Sequence, residues 1–417
     1  MKKERVEFTI LRYLGRPPSL FDDQAIAEVQ KILESNTKFD WDKFTEYAVF
    51  HKLSQTLYPN MKTYAQASCP PSPRTGDTHV DPNSPFTLPP KVVKKFRGIF
   101  FANAARNEFL AQELVRINRL LEDNGIEVLN WKGPALAIQA YGDLSLRQFK
   151  DLDTLVKHED LERAKAILLE NGFDDITPQN RNPEFTAGRG YEFINENKRY
   201  EVELEYSIFL ARTVLEYDYE GMFDRASSIT IGNDKINTLS LEDNLLFTSF
   251  HGTKHLWFRL RWLADILGKF ELNKDEILST IDTFEQKKLI AFCIYIAHKE
   301  FNMEQPIEIS GVLSDKLPST YKFEHIIHTK IVEHNSKDTS LNHYWKAKII
   351  ATLINGNENK KEYLNDIEYF NLWKRIKIKI SPNQADYNLI KLPKLLYPLY
   401  FIVRPLRVFI RVIKRHN

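Results

Sequence analysis

Two cysteines among 417 residues, Cys69 and Cys293, are too few and too far apart to staple a fold, which excludes a disulfide scaffold. No uninterrupted apolar run approaches the roughly 20 residues of a membrane span. The amino end, Met1-Lys2-Lys3-Glu4-Arg5, lacks the apolar core of a secretory signal. The expectation is a reducing, cytoplasmic chain. No internal repeat is visible, so a solenoid is excluded. Net charge is nearly absent too: 58 Lys and Arg stand against 56 Asp and Glu, for +2. A uniformly basic nucleic-acid binder is therefore excluded, and double-stranded DNA is not an expected partner. What the chain has in quantity is aromatic side chains, 27 Phe, 18 Tyr and 6 Trp, far more than a disordered polypeptide carries. The length suits two or three structural units with a sizeable core.

The near-neutral total hides an asymmetry. Residues 391–417 hold seven Lys and Arg and no acid, so removing them leaves 51 bases against 56 acids. Arg404, Arg407, Arg411 and Lys414 recur at helical spacing, opposite a stripe of Val403, Leu406, Ile410 and Ile413. That is a basic amphipathic helix, suited either to docking on the acidic body or to peripheral contact with a membrane surface.

The order of patterns suggests four regions. Residues 1–92 read as helical, with helices at Asp23–Leu33 and Asp42–Leu57, and with a proline-rich loop at 66–90. Residues 93–236 alternate helix and strand. A long helix to Asp123 precedes a β-like run at Ile126–Asn130, a helix at Pro134–Tyr141, a strand at Asp151–Val156 and a helix at Glu159–Glu170. A hairpin then pairs Tyr191–Asn195 with Arg199–Phe209. Residues 237–385 are helical again, and 386–417 form the basic tail. The expected class is α+β: a small mixed sheet flanked by helical regions at both ends.

Asp151-Leu152-Asp153 is the first candidate for chemistry. Alternate strand residues share a face, so both carboxylates point together, about 6–7 Å apart. A shared Mg²⁺ relieves their repulsion, and oxygen ligands suit it. Spacing alone is unspecific, because Asp40/Asp42 and Asp366/Glu368 also have it. Context makes the difference. Upstream, Asn130-Trp131-Lys132-Gly133-Pro134 runs from strand end through glycine into a helix start, where N–H groups and the helix dipole favour an anion. Arg147 and Lys150 add two cations before the acid pair; Arg147 has the alternative of pairing with one of the carboxylates. Downstream, Tyr200-Glu201-Val202-Glu203-Leu204-Glu205-Tyr206 alternates strictly. Its three glutamates share either a solvated face or, if this strand lies beside Asp151–Val156, a three-carboxylate metal site.

These residues resemble the polymerase-beta-type nucleotidyltransferase superfamily, which has a glycine turn and helix, then an acid-hydrophobic-acid strand, then a third acid. They resemble more closely a bacterial family of uncharacterised nucleotidyltransferases. The matching segments are Val128–Ala137, Tyr141-Gly142-Asp143, Leu146-Arg147, Asp151–Val156 and His251–Asp265. The resemblance implies transfer of a nucleoside monophosphate from an NTP to an acceptor hydroxyl with two Mg²⁺ ions, for which Mn²⁺ can substitute. It implies Asp151, Asp153 and Glu203 as catalytic metal ligands and Lys132, Gly133, Arg147 and Lys254 as nucleotide contacts; Lys150 and His255 are further candidates. Two positions depart from the pattern. Pro134 removes one N–H from the turn, and Glu205 stands where the close family commonly has histidine, leaving Glu203 and Glu205 both open as the third carboxylate. The acceptor class is left open among small molecule, glycan, RNA and protein. The alternative is a non-catalytic member that binds nucleotide or a partner as a regulatory module.

His251 and His255 lie four apart on one helical face, but Gly252 occupies the position where a zinc hydrolase has its glutamate. For the tail, docking on the body predicts equal, negligible flotation with anionic liposomes for the full chain and for a chain ending at residue 390. Flotation that disappears with the tail establishes the membrane contact instead.

Overall fold

The computed structural model describes residues 5–36, 38–68, 88–177, 190–195, 197, 199–207, 217–284, 286–314, 317–332, 348–349, 352–353 and 399–400. Apart from Leu399 and Tyr400, the basic tail lies outside the described residues, as do residues 69–87 of the proline-rich loop. Contacts divide the chain into one unit of Met1–Ile176, Gly190–Ile208 and Tyr217–Asn355, and a second of Thr177–Arg189, Phe209–Glu216 and Gly356–Asn417. Everything below concerns the first.

Four helices open the chain: α1 (Val6–Leu14), α2 (Asp23–Ser35), α3 (Trp41–Phe50) and α4 (Ser54–Ser68). Asp22 and Asp40 cap α2 and α3, accepting from Ala25 N–H at 2.8 Å and Lys43 N–H at 2.9 Å. The single helix expected over Asp42–Leu57 is broken between α3 and α4. Lys52 there takes a left-handed φ of 56°, and the buried His51 ring turns its Nδ1 to the N–H of Leu260, 3.2 Å away. The turn is a local helix cap, with Lys52 N–H donating to Val49 O (3.2 Å) and Leu53 N–H to Ala48 O (3.1 Å), and the contact with Leu260 is added to it.

The long helix α5 (Pro90–Glu122) starts on proline, which is tolerated in a first turn. There follow β1 (Leu129–Asn130), α6 (Gly133–Tyr141), β2 (Asp151–Leu155), α7 (Leu161–Glu170), β3 (Asp174–Asp175), β4 (Gly190–Asn195) and β5 (Tyr200–Glu205). A short α8 (Gly221–Asp224) leads into the hairpin β6 (Ser227–Ile231) and β7 (Asp234–Thr238). The helices α9 (Leu241–Lys254), α10 (Leu260–Leu272), α11 (Lys274–Thr280), α12 (Lys287–Glu300), α13 (Ile307–Val312) and α14 (Leu317–Val332) complete the described elements.

The seven strands form one mixed sheet in the order β3-β4-β5-β2-β1-β7-β6. The α+β class holds, with helices on both sides of the sheet segment in the chain. Alternation decides which face is which. Leu152, Val202, Leu204, Phe193 and Tyr200 join Leu110, Leu114, Ile117 and Leu121 of α5 in one buried cluster. Each such side chain removed from water contributes about 1.5–3 kcal/mol. The pleat therefore sends the acids of β2 and β5 to the opposite face.

Two arginines of the amino-terminal region close the far end of α12. Arg12 donates through Nε to Glu300 O and through its NH2 nitrogen to Lys299 O (2.8 Å), and Arg16 donates to Phe301 O (3.0 Å) and Asn302 O (2.9 Å). Carbonyls at a helix end have no partner within the helix, and here guanidinium groups supply one. After α9 the chain reverses through Leu256 and Trp257, both at left-handed φ (49° and 50°), and the indole folds back over Gly252. A Cβ at Gly252 would overlap that ring. Gly252→Ala is expected to lower stability by about 1–3 kcal/mol, read as a lower urea midpoint at unchanged slope. An unaltered midpoint would show that the indole moves aside freely.

Candidate active site

The register of two parallel strands builds the site. β2 and β5 pair as Asp151 with Glu201, Asp153 with Glu203 and Leu155 with Glu205. Side chains at paired positions point to the same face, so two acidic rows lie side by side. Oxygens of Asp153, Glu203 and Glu205 come within 4.8 Å of one another. Asp153 is 4% exposed, deep for a carboxylate. Asp151 lies outside that trio: Lys150 Nζ stands 3.3 Å from its carboxylate and 3.2 Å from that of Glu201. Of the two glutamates expected to compete as third carboxylate, both join the group.

Lys132 enters from the end of β1 and donates to Asp153 Oδ1 at 2.7 Å. Burial alone would lower its pKa, but Asp153, Glu205 and Glu203 around it outweigh burial and raise it. The carboxylates feel the converse. Burial pushes Asp153 up to about 7, with Glu203 and Asp151 adding to the rise against the pull of Lys132. Glu203 is raised by burial as well, with Glu205 and Asp151 adding to it and Lys132 opposing it. The upward shifts of Asp153 and Glu203 mark carboxylates crowded on one face, and an oxygen-ligated divalent cation is what such a donor set fits.

Gly133 turns the chain from β1 into α6 at φ 53°, a conformation that favours glycine, and an added Cβ would stand 3.2 Å from Asp151 O. The turn is held from behind by a buried network. Lys269 donates to Asn244 O (3.1 Å), Asn244 Oδ1 (2.7 Å) and Thr248 Oγ1 (2.7 Å), and Asn244 Nδ2 donates to Trp131 O (3.4 Å). Burial brings the Lys269 ammonium down to about 7.

Arg147 is nearly as buried as Asp153, at 5% exposure. Its Nε donates to Asp265 Oδ1 at 3.0 Å, and Tyr141 Oη donates to the same oxygen at 3.0 Å. Its carboxylate partner is thus Asp265 of α10 rather than either acid of β2. Arg147 still lies close enough to Asp153 to be counted among its electrostatic neighbours.

A second wall comes from the reversal after α9. His251 packs edge-on against Trp131 (6.3 Å), and His255 stacks on Trp262 at 5.0 Å with 23° between the planes. Burial lowers the His251 pKa well below the usual imidazole value, and Lys132, His255, Lys254 and Arg261 lower it further. Lys254 and His255, expected from the sequence, are therefore grouped with Lys132 around His251. Sequence reasoning did not single out Lys52, Arg259, Arg261 or Asp265. The last three lie inside the segment His251–Asp265 that carried the resemblance, which was the available signal. Lys52 had none, being brought in by a contact more than 200 residues away.

Asp153 gives a pH test. Its folded pKa lies above the ordinary 3.8, so the associated stability is complete below that value and is lost as pH rises toward about 7. Asp153→Asn, which keeps an oxygen for Lys132, is expected to raise the apo melting midpoint at pH 8 by about 1 °C, roughly 1 kcal/mol, and to leave it unchanged at pH 4. Added Mg²⁺ should stabilise only the parent protein. A lower midpoint for the variant at pH 8 would mean that the Lys132 contact outweighs the crowding of charge.

Residues 37–302 match the model of a protein family described as uncharacterised nucleotidyltransferase. No curated protein matches the chain.

Proposed function

The chain belongs to the uncharacterised nucleotidyltransferase family, and from that premise we propose that it moves a nucleoside monophosphate from an NTP to an acceptor hydroxyl, releasing pyrophosphate. The observation that carries this reading is the gathering of Asp153, Glu203 and Glu205 around Lys132 on one sheet face. We assign the acids and Lys132 to a catalytic core at 93–236, and the second wall to the helical region at 237–385 that follows it.

Asp153, Glu203 and Glu205 would hold Mg²⁺, with Asp151 at the edge of the same row; two ions is the number proposed, and Mn²⁺ is a chemically equivalent substitute. Bound there, the ions would supply Lewis acidity to the phosphate oxygens and acidify the acceptor hydroxyl. Lys132 neutralises Asp153 in the apo protein and gives a phosphate oxygen a cationic neighbour in the loaded one. Gly133 keeps the backbone low enough for that approach, and Pro134 takes away one donor. Arg147, committed to Asp265, fixes α10 against the strand and adds positive potential near Asp153 from behind. Lys254 and His255 complete the wall facing the phosphates. The reaction forms an oxygen–phosphorus bond to the acceptor and breaks the one to pyrophosphate, so what the protein must provide is alignment and charge.

The test is incubation of the pure full-length chain with each α-labelled NTP, Mg²⁺ and a cell extract. Label should pass to an acceptor, and fractionation of the extract then assigns it to small molecule, glycan, RNA or protein. Glu203→Gln and Asp153→Asn should each reduce transfer roughly 100-fold or more, the scale of a lost electrostatic contact in an active site. NTP binding without transfer, unaffected by either substitution, would favour the regulatory alternative.

A further inference from the structure

Resting on that reading, we propose that Lys52, Arg259 and Arg261 form a second phosphate subsite, which takes the leaving phosphates of the triphosphate while Lys132 serves the end nearest the acids. The three come from two distant stretches of chain that are clasped together. His51 Nδ1 accepts from Leu260 N–H (3.2 Å), and His51 O accepts from Arg261 N–H (3.3 Å). Directly after His51 the backbone holds Lys52 at φ 56°, a conformation that costs a non-glycine residue about 1 kcal/mol or more. The clasp thus holds this turn, closed locally by Lys52 N–H to Val49 O and Leu53 N–H to Ala48 O, against the segment that carries the two arginines.

Among the described residues none of the three has a carboxylate within ion-pairing distance. Arg261 spends one terminal nitrogen on Gln148 O (2.6 Å), and Arg259 lies over the rings of Phe258 (5.3 Å) and Phe50 (5.9 Å). The Nε atoms of both arginines are buried and have no hydrogen-bond partner among the described residues. Buried donors without acceptors are costly, and a guanidinium fork matches phosphate oxygens in pairs. Burial and mutual repulsion act in the same direction: burial, then Arg261 and Arg259, bring Lys52 down to about 8. Burial, with Arg147 adding to it, brings Arg261 down to about 10. Asp151 is the acid that Lys52 senses, which ties this cluster to the acidic row and not to a separate surface. A polyanion running from the acids toward α10 would satisfy the open donors and relieve the mutual repulsion of the three cations together.

The experiment uses inorganic tripolyphosphate with Mg²⁺ as the probe, in calorimetric titrations of the full chain. Lys52→Met and Arg259→Gln should each weaken binding about tenfold or more, whereas Lys52→Arg should stay within about threefold of the parent. Binding by the parent that is lost in Lys132→Met but unchanged in both test variants overturns the subsite and leaves the nucleotidyl-transfer reading standing. A parent protein that binds no tripolyphosphate removes both. Acetylation of the unaltered protein at pH 8, mapped by mass spectrometry, avoids any folding defect in the variants. Tripolyphosphate should protect Lys52 at least about fivefold, and equal labelling with and without it overturns the proposal.

Discussion

The parallel pairing of β2 with β5 is the constraint on which the rest depends. Like-charged side chains on neighbouring strands repel, and nothing in the backbone ladder forbids a one-residue slip. Here the opposite face decides. Leu152, Val202 and Leu204 are fully buried against α5, and slipping either strand would exchange them for carboxylates. Hydrophobic burial therefore holds the acids in a proximity they would not choose. The core enforces a local electrostatic cost, and that cost is what gives the site its affinity for cations.

Lys132 meets part of that cost, and its placement shows how little freedom the surroundings leave. It follows a two-residue strand and precedes a glycine in a left-handed conformation. The carbonyl just before it is tied through Asn244 to the buried Lys269. A residue with four rotatable bonds is thus anchored at its base by three separate elements. The same logic applies at Arg147, whose guanidinium is immobilised by Asp265 and, through that acid, linked to Tyr141. The cations of this face are positioned by helices packed behind the sheet, so the helical regions take part in its chemistry.

Much of this could be read from the sequence because it is local. The alternation of Tyr200 to Tyr206 announces a strand with one acidic face, and Asp151 to Asp153 announces another; period two is a property of each strand alone. The glycine turn and the helix after it were legible for the same reason. Register between strands is non-local, so it was open whether Glu203 or Glu205 joins Asp153, and the pairing brings both. Arg147 was assigned to the phosphates from its place between Lys132 and the acid pair, whereas its nearest acid, Asp265, lies 118 residues later. The hairpin of β6 and β7 carried a usable cue in Gly232-Asn233 between alternating runs, although those strands lie at the far edge from the acids. The break at Lys52 had no cue, since the left-handed cap that ends α3 there is built on lysine and not on the glycine or asparagine that usually marks one.

The contact of His51 with Leu260 has a consequence for how the protein comes into being. Residue 52 leaves the ribosome long before residues 259 to 261, and the clasp between them cannot close until both exist. The acids of β2 and β5, by contrast, can meet as soon as residue 205 is made. A nascent chain would pass through an interval in which the carboxylates are assembled beside Lys132 and Lys150 while Arg259 and Arg261 are still untranslated. The last cations of that wall thus arrive only after the acidic row is complete, so the finished charge balance of the site belongs to the full-length chain alone.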